Sequence, residues 1–161
     1  MATRKRTVLI VDDEAGQRAW MRGVLRQNGY AVLEAADYTE ALSVKDGQAE
    51  VIDMFVIDIR LPGGSGYDLS LELVAGSPAS KILFVSGTAG AELCKYFTTP
   101  LQTVQFLQKP FDAEQLIGRV RDLFGDSAEV QITNASANMP MPSAVSHVRA
   151  SCRPLKRPGK C

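Results

Sequence analysis

Apolar residues gather in short unbroken runs along the first 125 positions, and most runs are followed by a segment of helical length. Positions 7–11 (TVLIV) and 54–57 (MFVI) do not alternate with polar residues, the pattern of a strand covered on both faces. Positions 31–35, 82–85 and 103–107 complete a set of five strand-like runs. Between the first two, 15–28 reads as a helix stopped by Asn28-Gly29. Asp37 and Glu40 form a D-x-x-E start signal for a helix reaching about Lys45. LPGGSG at 61–66 is a loop by composition, and Ser65 and Asp68 stand where they can cap a helix over 67–75. A weaker helix is expected over 90–97, broken before Pro100. Asp112 and Gln115 give a second capping box. Behind it Leu116, Ile117, Val120, Leu123 and Phe124 form one apolar helix face.

Five strand–helix units in series predict an α/β domain, with a parallel sheet and helices on both faces. A parallel sheet lines up the carboxyl ends of its strands along one edge, where open α/β sheets bind ligands. In this chain those ends carry chemistry: Asp12-Asp13 after the first run, Asp58 after the third, Ser86 after the fourth and Lys109 after the fifth. The second strand contributes nothing to the set. Three carboxylates, an amine and a hydroxyl suit a divalent cation beside a phosphoryl group.

After Gly125 the periodicity stops, and 126–161 is rich in Ala, Ser, Pro, Lys and Arg. With few large apolar residues to offset ordering entropy, this tail is expected to be disordered. The expected division is therefore a domain over 1–125 and a tail over 126–161. The domain holds 13 basic and 16 acidic residues, whereas the tail holds 5 and 2. The basic tail opens an alternative, a nucleic-acid-associated regulator whose Arg149, Arg153, Lys156, Arg157 and Lys160 contact phosphates. No aromatics interleave those residues, so base stacking has no candidate.

Three cysteines (Cys94, Cys152 and Cys161) form no CxxC, which argues against a zinc site or disulfide framework. The single histidine, His147, lies in the tail, so positions 1–125 cannot supply an imidazole-based nucleophile system. No apolar run approaches the roughly 20 residues of a membrane span. The first residues run straight into acids, and a cytoplasmic location is expected.

The ordered strings VLIVDDE, VIDIRLPGGSGYDL, ILFVSG and FLQKPF resemble a response-regulator receiver domain over about residues 6–125. Each string alone is weak, but the ordered set is specific. The resemblance implies a flavodoxin-like, doubly wound sheet of order 2-1-3-4-5, an order the chemotaxis receiver already exemplifies. It implies that Asp58 is the phosphoacceptor and that Mg²⁺ is held by Asp13 directly, by Asp12 largely through water, by Asp58 and by the backbone carbonyl of Arg60. Lys109 would neutralise the carboxylate and then pair with a phosphoryl oxygen, aimed by a cis bond to Pro110. Ser86 and the Gly87 amide would bind the phosphoryl group. Ser86 and Phe106 would move together as the switch, and Arg60 and Thr88 would tune phosphoryl lifetime. Glu14 is expected only to favour a helix N-terminus.

The partner implied is a sensor histidine kinase or a histidine phosphotransfer protein, since FLQKPF and LFVSG look most like receivers attached to hybrid kinases. The tail is too short and too polar for a helix-turn-helix output, so the expectation is a stand-alone receiver acting by protein contact. The face of the fourth helix, fifth strand and fifth helix is the family's candidate for homodimer contacts. The chain is expected to be a phosphoacceptor with self-dephosphorylation rather than an enzyme. An aspartate-nucleophile phosphatase is the enzymatic alternative. Such enzymes need a second Asp two residues after the nucleophile, where this chain has Arg60.

Overall fold

The computed structural model describes residues 3–87 and 105–126. The elements run β1 (Thr7–Val11), α1 (Ala15–Gln27), β2 (Ala31–Ala35), α2 (Tyr38–Gly47), β3 (Met54–Asp58), β4 (Arg60–Leu61), β5 (Gly64–Ser65), α3 (Gly66–Ala75), β6 (Lys81–Ser86), β7 (Gln105–Gln108) and α4 (Ala113–Phe124). The helix expected over 90–97, Thr88, the start of the fifth strand and the tail from residue 127 on lie outside the described residues.

Five strands form one sheet of order β2-β1-β3-β6-β7, every pair parallel. Counting only those strands, the order is 2-1-3-4-5, so the flavodoxin-like architecture read from the sequence is the fold of the chain. The unbroken apolar runs explain it. Along β1, Val8 and Ile10 join one core cluster while Leu9 and Val11 join the other, and all four are fully buried. The first cluster takes Met21 and Leu25 of α1 and Leu116, Ile117 and Val120 of α4. The second takes Ala41 of α2 and Leu69 and Leu73 of α3. Each large side chain so buried contributes about 1.5–3 kcal/mol of transfer free energy. No helix of the described residues is long and apolar enough to cross a membrane.

The local signals set the helix ends. Asp37 accepts from the Glu40 amide, and the Glu40 carboxylate accepts in turn from the Ala36 amide. Asp112 and Gln115 make the full reciprocal capping box, and Gly125 ends α4 in the left-handed region at φ 73°. Of the two residues placed to cap α3, only Ser65 does so, accepting from the Tyr67 amide, while Asp68 lies in the first turn.

The loop expected over 61–66 is more ordered than its composition suggested. Arg60–Leu61 pairs antiparallel with Gly64–Ser65 as a short hairpin. Gly63 turns it with φ 84°, a conformation glycine adopts without a Cβ penalty.

Candidate functional site

The strand order brings the charged strand ends together. β1 and β3 are neighbours at the point where the chain switches from building the sheet in one direction to building it in the other, the usual crevice of this fold. Asp12 lies just past β1 and is wholly buried; Asp58 closes β3 and is 8% exposed. Asp13, next to Asp12, is exposed. One carboxylate oxygen from each of Asp12, Asp13 and Asp58 lies within 4.8 Å of the others. An all-oxygen donor set of this kind fits a hard cation such as Mg²⁺, which takes oxygen ligands and keeps waters.

Lys109 spans the two buried acids. Its ammonium donates to Asp12 Oδ2 at 2.6 Å and to Asp58 Oδ2 at 2.7 Å. Burial pulls its pKa down, but the two hydrogen bonds and the two carboxylate charges outweigh that and leave it above the ordinary lysine value. The other carboxylate oxygens are held by backbone. Asp12 Oδ1 accepts from the Glu14 amide at 2.9 Å, and Asp58 Oδ1 from the Arg60 amide at 2.8 Å. The loop carrying Lys109 is itself tied to the sheet, since the Lys109 amide donates to the Ser86 carbonyl at 2.8 Å. The Lys109–Pro110 bond is cis.

The remaining residues singled out from the sequence lie around this centre. Ser86 is buried at the end of β6, one register step beyond the Val85–Asp58 pair. Gly87 is exposed, with open space where a Cβ would stand. Phe106 pairs in register with Phe84 and packs, half-buried, against the second core cluster. Arg60 is exposed beside Asp58.

Other residues support the site without having announced themselves. Arg18, one turn into α1, donates to the Asp12 carbonyl at 2.6 Å and so pins the acid pair from below. Gly66 sits against Asp58: a Cβ there would overlap the Asp58 carbonyl and lie 2.9 Å from Ile57 Cγ2. Its amide donates to the Ile59 carbonyl at 2.8 Å. The GGSG string marked a loop but could not say which glycine touches the acid. A groove of about 490 Å³ opens beside the acids, lined by Glu14, Gln17, Trp20, Lys109, Pro110 and Phe111. Trp20 is 38% exposed and meets Phe111 with ring centroids 5.8 Å apart. Of its lining, Glu14, Lys109 and Pro110 were singled out from the sequence, whereas Gln17, Trp20 and Phe111 were not.

A parallel five-stranded sheet with an acid cluster and a bridging lysine at its switch point defines a receiver-like α/β fold. The family model for the response regulator receiver domain matches residues 8–121, and the chain belongs to that family. It is 34% identical over 117 residues to the sensor kinase CckA of Brucella abortus, covering 73% of this chain and 12% of the kinase. It is 32% identical over 117 residues to the phosphate regulon transcriptional regulatory protein PhoB of Escherichia coli, covering 72% of this chain and 50% of PhoB. The crystal structure of a response regulator receiver protein from Sinorhizobium medicae superposes with a TM-score of 0.67 at 26% identity, covering 77% of this chain and 98% of that one. The chain thus spans about half the length of the transcriptional regulator and a small part of the kinase.

Proposed function

We propose that Asp58 accepts a phosphoryl group from the phosphohistidine of a sensor histidine kinase or histidine phosphotransfer protein, with Mg²⁺ at the acid cluster. The observation that carries this reading is the Lys109 ammonium held between Asp12 and Asp58 at 2.6 and 2.7 Å. A lone solvated acid at a strand end has no use for a cation clamped between two carboxylates, whereas a phosphoacceptor needs one before and after transfer. In the step itself a carboxylate oxygen of Asp58 bonds to phosphorus. The phosphorus–nitrogen bond breaks, and the partner's imidazole leaves with the electron pair.

The catalytic contribution is positioning and electrostatics, as in phosphoryl transfer generally. Asp12, Asp13, Asp58 and the Arg60 carbonyl would hold Mg²⁺, which when bound neutralises charge on the transferring group. The backbone amide of Arg60 fixes one oxygen of Asp58 and Lys109 fixes the other. After transfer Lys109 would pair with a phosphoryl oxygen, and Ser86 and the Gly87 amide would bind the others. The groove along Glu14, Gln17 and Trp20 reaches Lys109.

The phosphoryl group brings about −1.5 to −2 charge to a buried position. Ser86 responds to that charge, Phe106 follows it, and the change is passed to a protein partner or a second copy of the chain. Self-dephosphorylation by water ends the signal, with Arg60 and Thr88 setting its rate. The test is incubation with a small phosphodonor such as acetyl phosphate and Mg²⁺, read by intact mass. One phosphoryl adduct is expected, absent in Asp58→Asn and suppressed by chelating Mg²⁺. No adduct on the unaltered chain, either with the donor or with a cognate phosphohistidine protein, overturns the proposal.

A further inference from the structure

Tyr38, the first residue of α2, lies 20 positions before Asp58 and packs against the β4–β5 hairpin that follows Asp58. A Cβ on Gly64 would come within 2.8 Å of Tyr38 Cδ2 and 3.1 Å of Cε2, so the ring lies against the bare backbone of β5. β5 pairs with β4 in the register Arg60↔Ser65. Arg60 in turn supplies the amide that fixes Asp58 Oδ1. The ring cannot drift from that position easily, because the phenol donates to Glu72 Oε1 of α3 at 2.7 Å. That bond raises the phenol pKa to about 12, so the hydroxyl stays protonated and donating throughout the neutral range. A hairpin of two residues per strand has little strength of its own. Its conformation therefore depends on what holds it from outside: Leu61 anchors it in the second core cluster, and Tyr38 lies against its β5 strand.

We propose that Tyr38 is a positioning residue for the acid pocket, backing the β4–β5 hairpin so that the Arg60 amide and carbonyl keep their places beside Asp58. This rests on the reading of that pocket as a Mg²⁺-dependent phosphoacceptor site. Tyr38 acts at one remove, as the partners of metal-ligating groups do, and changes to such partners cost about 10- to 100-fold in metal affinity or activity.

The test compares the unaltered chain with Tyr38→Ala, Tyr38→Phe and Leu73→Ala. Leu73 is buried in the same core cluster but is no part of the hairpin, so its truncation controls for lost stability. Two quantities are read: hydrogen exchange of the Arg60 amide in the metal-free protein, and the Mg²⁺ midpoint by calorimetry. Tyr38→Ala should speed Arg60 exchange and raise the Mg²⁺ midpoint by about 10-fold, the lower end of that range. Tyr38→Phe keeps the ring and loses only the tether to Glu72, so it should shift both in the same direction by less. Leu73→Ala should lower the melting temperature and leave the Mg²⁺ midpoint within about 2-fold, because Leu73 belongs to α3 and supplies none of the hairpin's backbone.

Equal shifts in Tyr38→Ala and Leu73→Ala, or no shift in Tyr38→Ala, overturn the proposal. If Tyr38→Ala does not fold, Tyr38→Phe decides by its Arg60 exchange against the unaltered chain, and unchanged exchange overturns the proposal. Absence of Mg²⁺ binding by the unaltered chain would instead strike at the reading of the pocket, while the metal-free exchange of Arg60 would still judge the role of Tyr38.

Discussion

Lys109 carries the largest electrostatic responsibility of any single residue in the site. It is the cation between two buried carboxylates, with 19% of its side chain exposed against none for Asp12 and 11% for Asp58. Replacing it with an apolar side chain of similar length leaves two acids facing each other. Lys109→Met should therefore destabilise the metal-free chain at pH 7 by about 1–3 kcal/mol, less than for a fully buried pair because water still reaches the amine. Added Mg²⁺ should recover part of that loss by supplying the missing positive charge. The pH dependence has a definite sign. The folded pKa of Lys109 is raised above the ordinary lysine value of 10.5, so its contribution is complete below that pH. It is lost as pH rises through the higher folded value. Urea unfolding of both chains from pH 7 to about 11.5 should show a constant stability gap that narrows only in the alkaline range. A gap that closes between pH 5 and 8 would contradict this account of the bridge.

At the scale of elements, strands and helices were legible because their signals are local. β1 and β2 have the limits read from the sequence, since unbroken apolar runs end abruptly at acids or turn residues. α4 began where the D-x-x-Q pattern put it, and its cap can be priced. Asp112→Ala removes the acceptor for the Gln115 amide, which lies at 2.8 Å. It should cost about 1 kcal/mol in urea unfolding while leaving phosphodonor reactivity unchanged. A cost near zero would mean that packing of Leu116, Ile117 and Val120 alone sets the start of the helix. The β4–β5 hairpin was not legible. Two residues per strand carry no periodicity, and LPGGSG is as compatible with an open loop as with a turn. Its order comes from outside, from Tyr38 on one side and from Gly66 pressed against Asp58 on the other. Neither contact leaves a trace in local composition.

The whole molecule explains why residues about 100 positions apart could be grouped before any contact was known. Parallel strands deliver their carboxyl ends to one edge whatever their exact register, so Asp12, Asp13, Asp58, Ser86 and Lys109 could be assembled from topology alone. What topology cannot supply is who touches whom. Lys109 bridges Asp12 as well as Asp58, and Arg18 pins Asp12 through its carbonyl. Those contacts depend on side-chain reach and on the crossing of α1 over the sheet, which hydrophobic patterning does not encode. Thr88 and residues 127–161 lie outside the described residues. The central claim is that Asp58 is the atom-level acceptor. The most direct measurement is borohydride reduction after treatment with acetyl phosphate and Mg²⁺, followed by peptide sequencing in the mass spectrometer. Borohydride converts an aspartyl phosphate to homoserine and so marks the acceptor. The account predicts homoserine at position 58 and nowhere else; homoserine at position 12 or 13, or an adduct that survives in Asp58→Asn, would contradict it.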